Sequence, residues 1–209
     1  MIQVEKLSKA FRKKSILKDV TFQAAPGEMV AFVGNNGCGK STLMQILSGM
    51  IAPDGGSIQC YGHTMGRNRS LFAKYFGYVP QSNGLMEELS VQDNLNLWTG
   101  RGGRPDEELI EMFDLQDMLR IPVRKLSGGM KRRVAIACAM AHFPPILLMD
   151  EPTAALDREY QRKIHSFMEV YLSKNGILLI ATHDEQEIRM ANRVIQIEDG
   201  YSIVQKKEI

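Results

Sequence analysis

Long apolar runs and an excess of one charge are both missing from this sequence of 209 residues. The longest stretch without a formal charge is residues 134–149, sixteen residues that include His142 and two prolines. A membrane-spanning helix needs about 20 apolar residues, so no segment is expected to cross a bilayer. The net charge of +2 gives no electrostatic reason to expect nucleic-acid binding.

Cysteine is scarce as well. Cys38, Cys60 and Cys138 are odd in number and lack the spacing of a metal site, which favours free thiols in a reducing compartment. The N-terminus has charges at Glu5 and Lys6 and no apolar core of a signal peptide. The remaining composition, 44% hydrophobic and 24% charged, is that of an ordinary cytoplasmic globular protein, and the length predicts one domain.

The order of apolar patterns along the chain predicts an α/β protein. Short apolar runs at 29–33, 146–149 and 176–181 are typical of buried strands, and helical patterns follow at about 40–48 and 158–174. Further strands are predicted at 2–7, 20–24, 57–61 and 194–197, and a further helix after His183. From about 90 to 141 the period is helical, with cap signals at Ser90, residues 105–108 and Ser127. Parallel β/α units therefore flank a helical insert.

A glycine-rich loop at residues 34–41 fits the phosphate-binding pattern G-x-x-x-x-G-K-[ST] and lies between a predicted strand and a predicted helix. Glycines let backbone N–H groups surround phosphate oxygens, and the helix N-terminus adds positive potential. Lys40 would contact the β- and γ-phosphates and the Ser41 hydroxyl would bind Mg²⁺, whereas a flexible glycine turn is the alternative. We expect nucleotide contacts along this segment, from Gly34, Asn35, Asn36, Gly37, Cys38, Gly39, Lys40, Ser41 and Thr42.

Two acids, Asp150 and Glu151, follow the predicted strand at 146–149. Ligands of open α/β sheets collect at the carboxyl ends of strands, so both acids can face the phosphate loop. Asp150 would hold Mg²⁺ through its water shell, and Glu151 would polarise the attacking water. An exposed acidic turn is the alternative, and the phosphate loop favours the catalytic interpretation.

The segment Leu126-Ser127-Gly128-Gly129 resembles the signature motif of ATP-binding-cassette (ABC) ATPases. Other elements similar to that family's motifs occur in the family's order: Phe11 as the adenine-stacking aromatic, Gln81 of the Q-loop, Asp157 of the D-loop at residues 155–157, and His183 as the switch histidine. The resemblance covers essentially the whole chain. It departs from the familiar pattern at Met130, where glutamine is common, and at Ala154, where serine is usual.

This resemblance implies a P-loop NTPase fold, with a mostly parallel core sheet flanked by helices, an N-terminal antiparallel β part and an inserted helical subdomain. Residues 1–209 would form a single domain, with 1–81 and 142–209 as catalytic core and 82–141 as helical signature subdomain. Glu151, His183 and Lys40 would be catalytic, and Ser41, Gln81 and Asp150 would hold Mg²⁺.

The resemblance also implies a head-to-tail dimer around two MgATP. Ser127, Gly128 and Gly129 of one subunit would meet the γ-phosphate bound to the other, and Asp157 would lie at the interface. The second subunit could be identical or related. A separate membrane permease would attach the chain to the inner face of the membrane, and the direction favoured is export.

Several alternatives stay open on the sequence alone. A soluble ABC ATPase in translation or DNA maintenance usually has two cassettes or a long coiled coil, and neither is found here. A non-hydrolysing nucleotide-binding regulator is disfavoured by the intact Lys40 and Glu151. Phe11 could be a half-buried strand aromatic, and the basic runs at 12–14 and 131–133 are expected to be solvated faces.

Overall fold

The computed structural model describes residues 1–12, 14–65, 74–99, 106–154 and 156–205. Within these residues the strands are β1 Ile2–Phe11, β2 Lys14–Ala24, β3 Met29–Val33, β4 Gly55–Cys60, β5 His63–Thr64, β6 Phe76–Val79, β7 Ile146–Asp150, β8 Ile177–Ala181, β9 Arg193–Glu198 and β10 Tyr201–Gln205. The α-helices are α1 Lys40–Leu47, α2 Val91–Trp98, α3 Glu107–Met112, α4 Gly128–Met140, α5 Arg158–Ser173 and α6 Glu185–Met190.

The described strands form one mixed sheet in the order β5-β4-β1-β2-β10-β9-β3-β8-β7-β6. Five neighbouring strands, β9, β3, β8, β7 and β6, pair in parallel. The three central strands β3, β8 and β7 are apolar at nearly every position because helices cover both faces of a parallel sheet. This confirms the predicted α/β class with a mostly parallel core.

Alternate residues of the central strands enter two separate cores. Met29 and Ala31 of β3 pack in one core with residues of α4 and α5, whereas Val30 and Phe32 pack in the other. The second core also holds α1, which lies between the parallel strands and the antiparallel strands β1, β2 and β4. The phosphate loop, which connects β3 to α1, is therefore anchored at both ends by buried apolar residues.

The N-terminal β part is longer than the sequence predicted. β1 extends past residue 7 to Phe11, and β2 begins at Lys14 rather than at residue 20. β4 begins at Gly55, inside the turn predicted at 53–56, and the strands β5, β6 and β10 were not predicted. These strands have too few consecutive apolar residues to stand out, and they form because a neighbouring strand offers backbone partners.

The helical insert between β6 and β7 is less regular than its sequence period indicated. It contains α2, α3 and α4, with short 3₁₀ turns at Gln116–Met118 and Val123–Lys125. The Ser90 cap is confirmed, since its hydroxyl accepts from the Asp93 N–H at 3.1 Å. Asp106 caps α3, while Pro105 lies outside the described residues. The subdomain bounds 82–141 remain a prediction.

None of the helices in the described part of the chain is long and apolar enough to cross a membrane.

Candidate functional site

The phosphate loop takes its shape from glycines at positions where a side chain cannot fit. Gly34 has a φ of 145°, and a Cβ there would lie 2.4 Å from the Ile197 carbonyl oxygen. Gly39 has a φ of 114° immediately before α1, and a Cβ would lie 2.7 Å from Leu17 Cδ2. Both values of φ lie in the left-handed region that favours glycine, so the pattern's first and last glycines are required by backbone geometry and by space.

Lys40 is the first residue of α1 and is only 7% exposed. Its ammonium donates to the Gly34 carbonyl at 2.7 Å and to the Asn35 carbonyl at 3.4 Å, and it lies 3.2 Å from His183 Nε2. The loop therefore wraps around a buried cation at a helix N-terminus, where backbone N–H groups add positive potential. Such a site is suited to phosphate.

The two predicted acids lie where β7 ends beside β8. Asp150, the last residue of β7, is 3% exposed, and Glu151 has a φ of 50° while its N–H donates to the Ala181 carbonyl at 2.8 Å. Glu151 Oε1 lies 3.5 Å from His183 Nε2. Burial raises the pKa of Glu151, and nearby His183 and Lys40 oppose that rise.

Most of the predicted nucleotide ligands line one cleft of about 390 Å³. Ile16, which was not predicted, lines it together with Phe11, Asn36, Gly37, Gly39, Lys40, Ser41, Thr42, Gln81, Asp150 and Glu151. Gly34, Asn35 and Cys38 line a second cleft behind the same loop, which they share with Asn36 and Gly37. The structure therefore places the phosphate loop, Gln81 and both acids around a common space.

Phe11 lies at the edge of this cleft, at the end of β1, with 46% of its surface exposed. Lys9 Nζ lies 5.4 Å from the centre of the ring. An exposed aromatic ring that borders a polar cleft can stack on a flat ligand group.

The signature residues do not line the cleft of their own chain. Ser127 caps α4, and its hydroxyl accepts from the Met130 N–H at 3.3 Å. Ser127 and Gly128 are exposed, and a Cβ built on Gly128 would meet no atom within 4 Å. A Cβ on Gly129 would come within 3.1 Å of the Tyr160 ring. The start of α4 therefore faces outward with bare backbone.

Asp157 lies close to this start of α4 because Tyr160 connects the two segments. The Asp157 carboxylate caps α5 by accepting from the Glu159 and Tyr160 N–H groups, both at 3.0 Å. The Tyr160 ring packs below Gly129 and also lies 4.8 Å from the Arg133 guanidinium. Asp157 is exposed, so it shares the outward orientation of the signature segment. Ala155 lies outside the described residues.

The prediction of a solvated basic face at 131–133 is wrong for two of its three residues. Arg132 and Arg133 are 4% and 6% exposed, because α4 packs into the first core along most of its circumference. Arg132 donates to the Pro80 carbonyl at 2.6 Å and to the Asp150 and Glu151 carbonyls at 2.7 and 2.9 Å. Burial lowers its pKa to about 10, against the attraction of nearby acids led by Asp150.

Arg132 is thus a functional candidate that the sequence prediction missed. It fixes the backbone of both acids and of Pro80, the residue before Gln81. A periodic signal was present, since Arg132, Ile136 and Ala139 follow the spacing of one helix face and the latter two are buried. In the run at 12–14, Arg12 and Lys14 are exposed as expected, and Lys13 lies outside the described residues.

The oxygen ligands around the cleft fit Mg²⁺ bound together with a phosphate. Ser41, Gln81 and Asp150 offer a hydroxyl, an amide and a buried carboxylate, and Mg²⁺ prefers oxygen and keeps several ligands from water or phosphate. No cluster of three or more His, Cys, Asp or Glu side chains that could hold a metal occurs in the described part of the chain.

Comparisons with known proteins agree with this geometry. Residues 17–154 match the family model described as ABC transporter. The Nod factor export ATP-binding protein I of Paraburkholderia xenovorans (strain LB400) is 32% identical over 98% of this chain and 70% of its own length. The aliphatic sulfonates import ATP-binding protein SsuB of Cupriavidus necator is 35% identical over 95% of this chain and 66% of its own.

A solved structure supports the same conclusion. The dimeric, post-hydrolysis state of an ATP-binding cassette bound to ADP and phosphate matches with a TM-score of 0.89 and 27% identity, over 99% of this chain and 98% of that chain. The chain therefore belongs to the ABC transporter family, as one of its ATP-binding and ATP-hydrolysing cassettes.

Proposed function

We propose that this chain binds MgATP in the cleft, pairs head-to-tail with a second cassette, and powers a separate membrane-spanning permease. The observation that supports this most is that the two sets of residues proposed to act on the phosphates lie in different places. Lys40, Asp150 and Glu151 border a cleft, while Ser127 and Gly128 lie on an exposed surface outside it. A second copy or a related chain would supply the missing contact.

Nucleotide binding rests on the phosphate loop. The N–H groups at the start of α1 and the Lys40 ammonium neutralise the β- and γ-phosphates, and Phe11 stacks on the adenine. The chemistry that Mg²⁺ would supply here is to offset the negative charge of the phosphates. Ser41, Gln81 and Asp150 are the residues that hold it.

Hydrolysis requires a base and a group that senses the γ-phosphate. Glu151 is the base that polarises the attacking water, and its raised pKa brings it closer to the working pH. His183 contacts both Glu151 and Lys40, at 3.5 and 3.2 Å between the nearest atoms. It therefore lies where it can orient the water and the γ-phosphate together.

The partner's contribution comes from its α4 start and its Asp157. Ser127 and the bare glycines that follow place a hydroxyl, backbone N–H groups and a helix N-terminus against the γ-phosphate. Met130 replaces a common glutamine but leaves these groups intact. Asp157 lies at the interface beside them.

The state of the nucleotide site passes to the permease through the loop that begins at Gln81. Arg132 joins this loop to the acids, because one guanidinium donates to the carbonyls of Pro80, Asp150 and Glu151. A shift at the acids is thus transmitted to the residue next to Gln81. We propose no nucleic acid as partner, since the net charge is only +2.

The substrate direction proposed is export, with the chain held at the inner face of the membrane by its permease. One relative is named for Nod factor export and another for aliphatic sulfonates import, so the family alone leaves both directions open. The motif LSGGMKRR, which is typical of exporter cassettes, favours export.

The Glu151→Gln variant tests this function. It should lower ATP turnover by roughly 10²–10⁴-fold while still binding ATP, and light scattering should detect an ATP-dependent dimer that the variant cannot resolve by hydrolysis. Lys40→Ala serves as a control that loses nucleotide binding itself. Unchanged turnover in Glu151→Gln would contradict the assignment of the base.

A further inference from the structure

Glu187 in α6 is a buried acid to which the mechanism above gives no role. It is 0% exposed, although the neighbouring Glu185 on the same helix has a side chain that is 83% exposed. The two carboxylate oxygens have different partners. Oε1 accepts from the Thr153 hydroxyl at 2.6 Å, and Oε2 accepts from the Thr182 hydroxyl. A carboxylate removed from water in this way is kept for a structural or functional reason.

The two threonines belong to the two loops that carry the catalytic pair. Thr153 follows Glu151 by two residues, at the carboxyl end of β7, and Thr182 immediately precedes His183 at the end of β8. The pair itself spans the same gap, with 3.5 Å between Glu151 Oε1 and His183 Nε2. Glu187 therefore bridges the same two loops that the Glu151–His183 contact joins, and Glu151 in turn lines the cleft.

Both ends of the bridge are fixed to the rest of the fold. The Thr182 N–H donates to the Phe32 carbonyl of β3 at 3.1 Å, and its hydroxyl also accepts from the Asp184 N–H at 2.9 Å. The Asp184 carboxylate in turn accepts from the Glu187 N–H at 3.0 Å. Thr153 is 2% exposed. The bridge thus joins rigid elements, so its length can set the separation of the loops.

We infer that Glu187 is a positioning residue for hydrolysis, whose carboxylate holds the loops of Thr153 and Thr182 together and thereby sets the distance between Glu151 and His183. This inference rests on the proposed catalytic roles of those two residues. It gives Glu187 no contact with nucleotide, because Glu187 is fully buried and does not line the cleft.

The charge state of Glu187 makes the bridge sensitive to pH. Burial raises its pKa to about 7, against hydrogen bonds from Thr153 and Thr182 that lower it. The ionised form accepts from both hydroxyls at once, whereas the neutral form keeps a proton on one oxygen and favours only one of these bonds.

Charged or titratable groups surround the bridge on several elements. Arg132 belongs to α4, Glu151 follows β7, and Asp184 precedes α6. His165 and Glu169 belong to α5.

His165 is the nearest of these groups that can change its protonation. Its Nε2 lies 3.8 Å from Glu187 Oε1, and neither ring nitrogen has a hydrogen-bond partner among the described residues. Burial lowers the pKa of His165, which favours the neutral ring and leaves the bridge to the two threonines.

The test compares Glu187→Ala, Glu187→Gln and the matched control Glu185→Ala by steady-state ATPase kinetics. Glu187→Ala should lower kcat by about 10-fold or more and leave the ATP KM within about two-fold, because transition-state geometry is lost and nucleotide binding is not. Glu187→Gln keeps one acceptor and one donor for the hydroxyls. Like the protonated acid, it should keep about the kcat that the parent chain shows well below pH 7, above that of Glu187→Ala, and should lose the rise of kcat through pH 7. Glu185→Ala should match the parent chain.

Three results would overturn the inference: a Glu187→Ala enzyme with parental kcat, a Glu187→Gln enzyme no better than Glu187→Ala, or a loss of ATP affinity equal to the loss of kcat. If Glu187→Ala does not fold, Thr153→Val carries the same test, since it removes one hydroxyl at constant volume, and parental kcat there overturns the inference. Glu151→Gln measured in parallel separates the two claims. Normal turnover in that variant refutes the proposed function, whereas its inactivity beside an active Glu187→Ala refutes this inference alone.

Discussion

The nucleotide cleft and the outward face around α4 are built in opposite ways. In the cleft, Lys40 and Asp150 are 7% and 3% exposed and the backbone is held by strand ends and glycines. At the outward face, Ser127, Gly128 and Asp157 are exposed, and a Cβ on Gly128 would touch nothing. We call these regions the cleft and the open face.

The two regions differ in whether their functional groups contact groups of their own chain or await a ligand that another molecule carries. In the cleft, the functional groups contact others of their own chain: Lys40 and Glu151 both lie near His183, and the Glu151 N–H donates to the Ala181 carbonyl. At the open face the Ser127 hydroxyl caps α4, but the exposed side of Gly128 meets no other atom among the described residues. A helix N-terminus with bare glycines is a phosphate site, so its ligand is expected to come with another molecule.

The Gly128→Asp substitution at the open face should have the largest effect, because it should lower ATP turnover without lowering the stability of the chain. An acid in the first turn of α4 favours the helix dipole and meets no atom of its own chain, so unfolding stability should stay equal or rise by about 0.3–1 kcal/mol. The same carboxylate would repel the partner's γ-phosphate and lower turnover on the order of 10³-fold. Thermal unfolding, ATP binding by the isolated chain and ATPase rate measure the three quantities.

Gln92→Glu is the matched control for that substitution, because it adds an acid to the first turn of a different helix, α2. It should leave turnover unchanged. If the Gly128→Asp chain hydrolyses ATP at the parental rate, the open face is not part of the hydrolytic site.

A smaller effect is expected from the buried Glu187, on the pH dependence of the free energy of unfolding. Its pKa rises from 4.5 to about 7 on folding, so the unfolded chain releases the proton first. The stability contributed by the neutral carboxyl is present below pH 4.5 and is lost as the pH rises through 7. Relative to the parent chain, Glu187→Gln should therefore gain about 3 kcal/mol in unfolding free energy between pH 4.5 and 8.

Urea unfolding at several pH values measures this change. Glu185→Gln on the same helix is the control and should show no such trend, because Glu185 is exposed. A constant difference between Glu187→Gln and the parent at every pH would contradict the raised pKa.

The smallest expected effect concerns Cys38 behind the phosphate loop. Cys60 and Cys138 are buried with pKa values raised to about 12, which leaves Cys38 as the partly exposed thiol for alkylation. The Cys38 Sγ lies 2.9 Å from where a Cβ of Gly34 would be, so an adduct must displace the loop. Maleimide should weaken ATP binding about 10-fold, MgATP should protect, and Cys38→Ser should be insensitive.

Full ATP affinity after stoichiometric labelling of Cys38 would show that the loop tolerates the adduct. The cleft would then be less rigid than the glycine geometry indicates, and the contrast with the open face would weaken.

The sequence predicted the parts of the fold that depend on short-range patterns. Continuous apolar runs identified β3, β7 and β8, and the G-x-x-x-x-G-K-[ST] pattern located the loop, because buried parallel strands and phosphate loops impose strict local requirements. β6 was missed, since its partner β7 is distant in sequence. β10 was missed although it forms a hairpin with the preceding β9, because its residues are mostly exposed and show no buried apolar run. β1 and β2 were predicted too short because the residues where the two strands meet, 8–11 and 14–19, are mostly exposed or half-buried and lack a clear apolar pattern.

The sequence predicted the site residues that belong to a recognisable motif. It did not predict the charged residues whose role depends on their being buried. Lys40, Asp150 and Glu151 belong to recognisable patterns, and the structure brings them to one cleft.

Arg132 carried only the weak signal of sharing a helix face with Ile136 and Ala139. Glu187 looks like an ordinary surface charge in the sequence, and only its packing reveals that it joins the catalytic loops. Nothing in the local sequence distinguishes Glu187 from Glu185.

Mixing two inactive variants tests the central claim most directly. Lys40→Ala disables the cleft and keeps the open face, whereas Gly128→Asp does the reverse, and each should be inactive alone. If the open face acts on a second chain, a mixed dimer has one intact composite site, and an equal mixture should recover roughly a quarter of parental ATPase activity. No recovery, in a mixture shown to form mixed dimers, would contradict action between chains.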